Sequence, residues 1–542
     1  MRLTRRTRLA GVALLAAGGL TLAACGSSDT KSSSGGSDII SAYDTEPQNP
    51  LVPSSTNEVG GGHIIDQLWA GLVAYKSDGS TVNEVAKSIT SDDDKVWTVK
   101  LNTGWKFSDG TPVTSKNFVD AWNYGALSTN KQLNSYFYYP IAGFDDVQKA
   151  KPTVKTLSGL KVVSDSEFTI TLAQPENEFP LRLGYSAFYP LPETAFKDIK
   201  AFGENPVGNG PYKLSKKGAW DHKKQITLVK NDEYNGYRKP KNDGLTFVFY
   251  TDSDPAYTAV QSGSLDILDT LPTSAYSTFK TDSSVQAISE AGSNFSSFTI
   301  PVTLAHFGEN KEGKLRRQAI SYAIDRAQIC DKIFSGTRTP AKDFTSPLMP
   351  GFDENVAGNE VLKFDPTKAK ALWAEANKIS PWSGKFQLGY NPEGGNKDWV
   401  DASMNQVKNT LGIDASGKAY PDFKSLRSDV TGRTIKTAFR TGWQPDYPSM
   451  FNYLQPLYQT KAGSNDGDYS SAAFDKLIGE AAGAKSDTDR YKLQNEAQAV
   501  LFQDLPAIPL WYQSIAGVAG KDVKGVSFNW QNVPDYYLAH KG

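Results

Sequence analysis

The first 24 residues decide where this chain must fold. Arg2, Arg5, Arg6 and Arg8 form a basic head, and the sixteen residues from Leu9 to Ala24 carry no charge. A membrane span needs about 20 apolar residues, so this run is too short for one. It has the proportions of the apolar core of a secretory signal peptide. The chain is therefore built to work outside the cytoplasm, yet its only cysteines are Cys25 and Cys330. Without a disulfide framework, stability must come from large apolar cores, and an aromatic content of 11% is in keeping with that.

The apolar run ends Leu22-Ala23-Ala24-Cys25. This resembles the lipobox of bacterial lipoproteins, small residues before a cysteine that is lipidated and becomes residue one. The resemblance implies a chain held at the membrane through a lipid on Cys25, which leaves Cys330 with no intrachain partner. Thr4-Arg5-Arg6-Thr7-Arg8-Leu9 also looks like a twin-arginine export signal, so both export routes stay open. Residues 25–38 read CGSSDTKSSSGGSD, nine of fourteen being Ser or Gly. Such a stretch cannot bury apolar surface and acts as a flexible tether of roughly 20 Å root-mean-square length.

Cleaving the first 24 of 542 residues leaves 518, too many for one ordinary core, and this length predicts about three domains. Loss of the four arginines takes the formal charge from −1 to −5. That mild acidity, with the remaining basic residues scattered, argues against a nucleic-acid partner. Cys330 falls on the apolar side of a helical pattern with Leu315, Ala319, Tyr322, Ala323, Ala327, Ile333 and Phe334, which predicts a buried small hydrophobe.

Strand-like and helix-like stretches alternate, which predicts an α/β architecture. Val96–Leu101, Glu167–Leu172 and Gln225–Val229 alternate as half-buried strands do. Helical patterns cover Ser115–Tyr124, Lys314–Phe334, Pro366–Asn377 and Asp487–Gln503. Asp365-Pro366 opens the third with a capping carboxylate and a proline at the first helical position.

Signals for catalysis are sparse. The four histidines, His63, His222, His306 and His540, show no paired spacing that would suit zinc. No GxSxG elbow, P-loop or strand-linked GxGxxG is present. Gly60-Gly61-Gly62 reads as a plain loop-to-helix turn, and Asp466 and Asp468 as solvated loop acids. No metal or other cofactor is expected. A pair of catalytic carboxylates needs no fixed spacing, so an extracytoplasmic hydrolase stays open as a different class.

Several segments in order resemble the extracytoplasmic solute-binding proteins of family 5, which serve peptide and nickel ABC importers. Thr103 to Thr114 (TGWKFSDGTPVT) looks like that family's WSDGxPVTA segment, followed by its aromatic helix with Phe118, Trp122 and Tyr124. Pro206 to Tyr212 (PVGNGPY) looks like its PVGTGPY turn, where Gly208 and Gly210 are expected to allow backbone angles closed to other residues. Leu315 to Arg326, Lys368 to Ala376 and Leu505 to Leu510 match later landmarks. Each alone is weak, but the ordered set spans nearly all of residues 40–540.

One segment bears on ligand. Arg440-Thr441-Gly442-Trp443-Gln444-Pro445-Asp446-Tyr447 resembles the family's RxGWxxDY binding motif. The resemblance implies that Asp446 takes a peptide α-ammonium, Trp443 lines a side-chain pocket and Arg440 meets a carboxylate, with Tyr447 beside them. The competing reading is an Arg440–Asp446 ion pair beneath a core tryptophan. After Asp-Tyr this chain has Pro448-Ser449-Met450 where many peptide binders carry another acid and a proline. Tyr136, Phe137, Tyr138 and Tyr139 sit where the family places an aromatic pocket wall. Four aromatics in a row cannot all face one core, so at least one, Tyr136 being the candidate, is expected to face the cleft.

The resemblance implies the class II periplasmic-binding-protein fold, two hinged lobes with an additional α/β domain. The expected division is 39–59, 204–293 and 508–542 for lobe I, 60–203 for the additional domain, and 294–507 for lobe II. It further implies a monomer that captures an oligopeptide between the lobes and docks on an ABC permease driven by an ATPase. An oligosaccharide is the alternative ligand, since eleven tryptophans can stack on sugar rings.

Overall fold

In the computed structural model, residues 38–392, 395–421 and 423–542 are described. The predicted signal peptide, Cys25 and the linker up to Ser37 lie outside the described residues. Among the described residues, no helix is long and apolar enough to cross a membrane.

Two long strands organise the molecule. Val285–Thr299 and Ala507–Gly520 run antiparallel through the middle of a twelve-stranded sheet. At one end of the pair, Ile267–Leu268 joins Ala507–Gly520, and Ile39–Asp44, Gly244–Phe249 and Gln225–Lys230 extend the sheet outward. At the other end, Ala438–Trp443 pairs with residues 295–299 and leads to Lys385–Tyr390 and Asp414–Ala419. Two half-sheets thus share one strand pair, whose register shifts between Glu290 and Asn294. Gly292 sits in that shift. A Cβ there would lie 2.1 Å from the Gln513 carbonyl oxygen, so only glycine lets the strands pass.

Each half-sheet supports its own apolar core. One is built around Trp69, Phe118, Trp122 and Tyr212, the other around Phe344, Tyr453, Leu501 and Trp511. The predicted strand alternation is what fills the first. Trp97, Val99 and Leu101 of Val96–Leu101 point inward and face Phe168 and Ile170 of Glu167–Thr171. The Ser115–Ala126 helix lies over them, with Phe118 and Trp122 at 6.0 and 5.6 Å from the Phe168 ring. Burying side chains of this size contributes about 1.5–3 kcal/mol each. The helices Pro366–Ile379 and Asp487–Asp504 extend the predicted spans by one or two residues, and Asp365 caps the former through the Lys368 amide.

Two expectations need correction. The single helix over Lys314–Phe334 is two, Lys311–Tyr322 and Arg326–Lys332. Asp325 breaks it by capping the second through the Gln328 amide, and buried Arg326 holds the break by donating to the carbonyls of Pro509, Ser321 and Leu362. The break turns Ala327 to solvent, while Cys330 stays buried. Burial pushes the Cys330 thiol up to about 12, as befits a packing residue rather than a reactive one. Gly208 and Gly210 do not use left-handed angles. They are glycines because a Cβ would lie 1.9 Å from the Leu68 carbonyl oxygen and 2.4 Å from the Trp69 amide.

Candidate functional site

A cavity of about 1320 Å³ opens beside the shared strand pair and is walled from both half-sheets. The helix Val59–Leu68 supplies Gly62, His63 and Asp66 to one wall. Gly60 to Gly62 form its first turn, capped by Glu58 through the Gly61 amide, so the predicted turn sits one step inside the helix. The opposite wall carries Arg427, Arg440 and Trp443.

Arg440 and Trp443 lie on the strand Ala438–Trp443, and Asp446 follows in the turn after it. All three line the cavity. Asp446 is half-buried and is fixed by Asn452, whose Nδ2 donates to Asp446 Oδ2 at 3.0 Å while its Oδ1 accepts the Asp446 amide at 2.8 Å. The same Oδ1 accepts the Trp443 indole N–H at 3.0 Å, so one buried asparagine orients both side chains. Burial pushes the Asp446 carboxyl up to about 7, against the lowering pull of Asn452, Tyr185 and Arg182. Arg440 and Asp446 form no ion pair with each other among the described residues. Arg440 Nε instead donates to Asn391 Oδ1 at 2.7 Å, and its guanidinium lies 5.0 Å from the Phe423 ring centre.

Tyr136 faces the cavity from the short 3₁₀ turn Ser135–Tyr138, while Phe137 and Tyr138 turn into the core. Tyr447 departs from expectation. It is 1% exposed and does not line the cavity; its ring lies under the Arg182 guanidinium at 4.9 Å. Arg182 is itself buried, paired to Glu176 at 2.6 Å. Asp466 and Asp468 are not free in solvent either: Asp466 accepts from Arg427 at 2.7 Å and Arg433 at 3.0 Å, and Asp468 from Arg433 at 2.9 Å.

Sequence reasoning missed the acidic side of the cavity and Asn452. His63 is buried between Asp44 at 3.5 Å and Asp269 at 4.0 Å. Burial alone would lower its pKa, but those carboxylates hold it up at about 9, so it is a cation at neutral pH. His63 and Asp66 are three apart on one helix, a spacing that puts both on one face and is the only local signal for this wall. The other histidines lie elsewhere: His222 between Glu46 and Glu204, His306 on Glu312, His540 on the Leu538 carbonyl. Among the described residues, no group of three or more His, Cys, Asp or Glu could hold a metal ion.

Residues 80–465 match the profile of the bacterial extracellular solute-binding proteins, family 5 Middle. The chain belongs to this family. Curated relatives include the oligopeptide-binding protein OppA of Bacillus subtilis (strain 168), 27% identical over 537 residues and covering 94% of each chain. The dipeptide-binding protein DppE of the same organism is 26% identical, with 92% of this chain and 91% of its own covered. Two solved structures share the fold at a TM-score of 0.80 and 22% identity. They are the Escherichia coli murein tripeptide binding protein MppA (93% of this chain, 98% of that one) and Haemophilus influenzae OppA in complex with RPPGFSPFR (93% and 99%). The fold is that of the two-lobed periplasmic binding proteins of family 5, with mixed α/β content. As in the rest of the family, the role is solute binding and not catalysis.

Proposed function

We propose that this chain captures an oligopeptide in the cavity and delivers it to an ABC permease energised by an ATPase. It works as a monomer anchored outside the cell membrane through lipidated Cys25. In this reading lobe I comprises 39–59, 204–293 and 508–542, the additional domain 60–203 and lobe II 294–507.

One observation carries the peptide reading. Asp446 offers the cavity a carboxylate that Asn452 orients and that makes no ion pair with any cation among the described residues. A buried carboxylate in that state is unfavourable until a cation arrives, and a peptide α-ammonium supplies one through charge-assisted hydrogen bonds. Main-chain pairing and roomy pockets would then accept varied side chains. The names of the relatives, oligopeptide- and dipeptide-binding, agree with this reading.

Titrating the purified protein with short peptides, their N-acetylated forms and oligosaccharides tests it. Free-amino peptides should bind, and acetylation should remove most of the affinity. Binding of sugars with none of peptides would leave the family intact and overturn the peptide assignment. A peptide ligand returned cleaved after long incubation would favour the hydrolase instead.

A further inference from the structure

Asp66 is another carboxylate on the cavity surface that makes no ion pair among the described residues. It lies on the Val59–Leu68 helix, half-buried, and its carboxylate accepts the Tyr189 hydroxyl at 3.1 Å. The nearest guanidinium is that of Arg238, which draws the Asp66 carboxyl down against its burial, but its two Nη groups are turned to other partners. One Nη donates to the Asp66 main-chain carbonyl, and the other donates to the Trp69 carbonyl at 2.7 Å and lies 3.8 Å from Glu84. No ion pair reaches the Asp66 carboxylate itself among the described residues.

The surroundings compound the deficit. Glu58, Asp44, Glu84, Asp269 and Asp535 gather around the same helix and its neighbours, and the cations facing these acids and Asp66 among the described residues are Arg238 and His63. Beside Asp66, the Gln67 side chain is 6% exposed and its Oε1 has no hydrogen-bond partner, although Gln67 belongs to the cavity wall. It is a second acceptor waiting for a donor.

The wall between Asp66 and Asp446 is aromatic. Tyr75, Tyr185 and Tyr189 all line the cavity. Burial raises the hydroxyls of Tyr75 and Tyr185, and Asp446 and Asp66 both add to it, so these two rings stand within electrostatic reach of both carboxylates. Tyrosine faces attract cations as well as apolar stems.

We propose that Asp66, Gln67 and the Tyr75–Tyr185–Tyr189 wall form a second cation subsite, selecting peptides that carry a lysine or arginine side chain close to the amino terminus. This rests on the peptide reading, with Asp446 holding the α-ammonium. The long stem of the basic residue lies along the tyrosines and its head reaches Asp66.

Calorimetry with alanine-based tetrapeptides tests it, with lysine or its uncharged isostere norleucine at the first, second or third position. At one position the wild type should prefer lysine by about tenfold or more, as expected of a charge-assisted contact in a partly dry site. Asp66→Asn should erase that preference, Asp66→Glu should restore part of it, and Asp446→Asn should weaken both peptides while keeping it. Equal binding of lysine and norleucine peptides by the wild type at every position overturns the subsite but leaves the peptide reading standing. So does a preference that survives Asp66→Asn in a protein whose melting is unchanged. If no tetrapeptide binds at all, both readings fall together.

Discussion

The two walls of the cavity handle charge in opposite ways. On the wall from the Phe423–Thr431 helix and the 464–468 loop, charges are matched locally: Asp466 sits between Arg427 and Arg433, and Asp468 takes a second arm of Arg433. On the wall around Val59–Leu68, buried carboxylates outnumber their cations. Locally matched charges hold a surface in shape. An unmatched carboxylate costs free energy in the empty protein and returns it when a cation enters, so the acidic wall and Asp446 are where a ligand gains most.

The largest expected effect comes from removing that unmatched charge. Asp446→Asn keeps the shape and the Asn452 contact but leaves a peptide ammonium facing a neutral amide. Losing one partner of such a pair costs about 2–5 kcal/mol, so affinity should fall about 30-fold or more by calorimetry. The melting temperature of the empty protein should hold or rise, because the carboxylate is unfavourable there. Loss of folding with residual affinity intact would make Asp446 a structural group and erase the contrast between the walls.

Next in size is the pH dependence. Without ligand, Asp446 is held up at about 7 against an ordinary 3.8, so between these values the folded protein keeps a proton that the unfolded chain has lost. Its contribution to stability therefore falls as pH rises from about 4 to about 7. Binding runs the other way, since proton and ammonium compete for one carboxylate. Affinity should drop by about tenfold from pH 7.5 to pH 6, and level off above, until the peptide amine itself deprotonates near about pH 8. Arg182 and Tyr185 face Asp446 and do not change charge in this window, and His63, held up at about 9, stays a cation through it. Burial pushes Asp44 up to about 7 as well. The difference between wild type and Asp446→Asn isolates Asp446; an acid limb that persists in the variant would move the titration to Asp44.

Arg440 tests the matched wall from the ligand's side. Arg440→Gln should weaken free-acid peptides by about fivefold while amidated peptides lose less, if its guanidinium reaches a ligand carboxylate. Equal losses would mean that Arg440 acts by bracing Asn391.

How much of this was legible in the sequence follows from distance along the chain. Arg440, Trp443 and Asp446 occupy one strand and its turn, so an eight-residue pattern announces them, and the alternation in Val96–Leu101 announces an inward face. Tyr447 shares that pattern, yet its fate is set by Arg182, 265 residues earlier, which covers its ring. Asp66, Arg238 and Asp535 meet only because the half-sheet brings three distant segments to one wall, and no spacing encodes that. The break at Asp325 was hidden for a related reason. The apolar period runs on through it and hides the local Asp325 cap, while the Arg326 contacts that enforce the break depend on partners at 362 and 509.

The smallest effect should come from the best-matched acid. Asp466→Asn removes the carboxylate shared by Arg427 and Arg433, whose side chains are each 40% exposed, so solvent screens much of what is lost. Such exposed pairs contribute about 1 kcal/mol or less. The global melting temperature should move by only about 2 °C. Local effects should be clearer, with faster amide exchange in Phe423–Thr431 and in the loop around 464–468 than in the Val59–Leu68 helix. Peptide affinity should change less than for any other variant here. A loss approaching that of Asp446→Asn would place a ligand cation on Asp466 too, and both walls would then have to be read as binding surfaces.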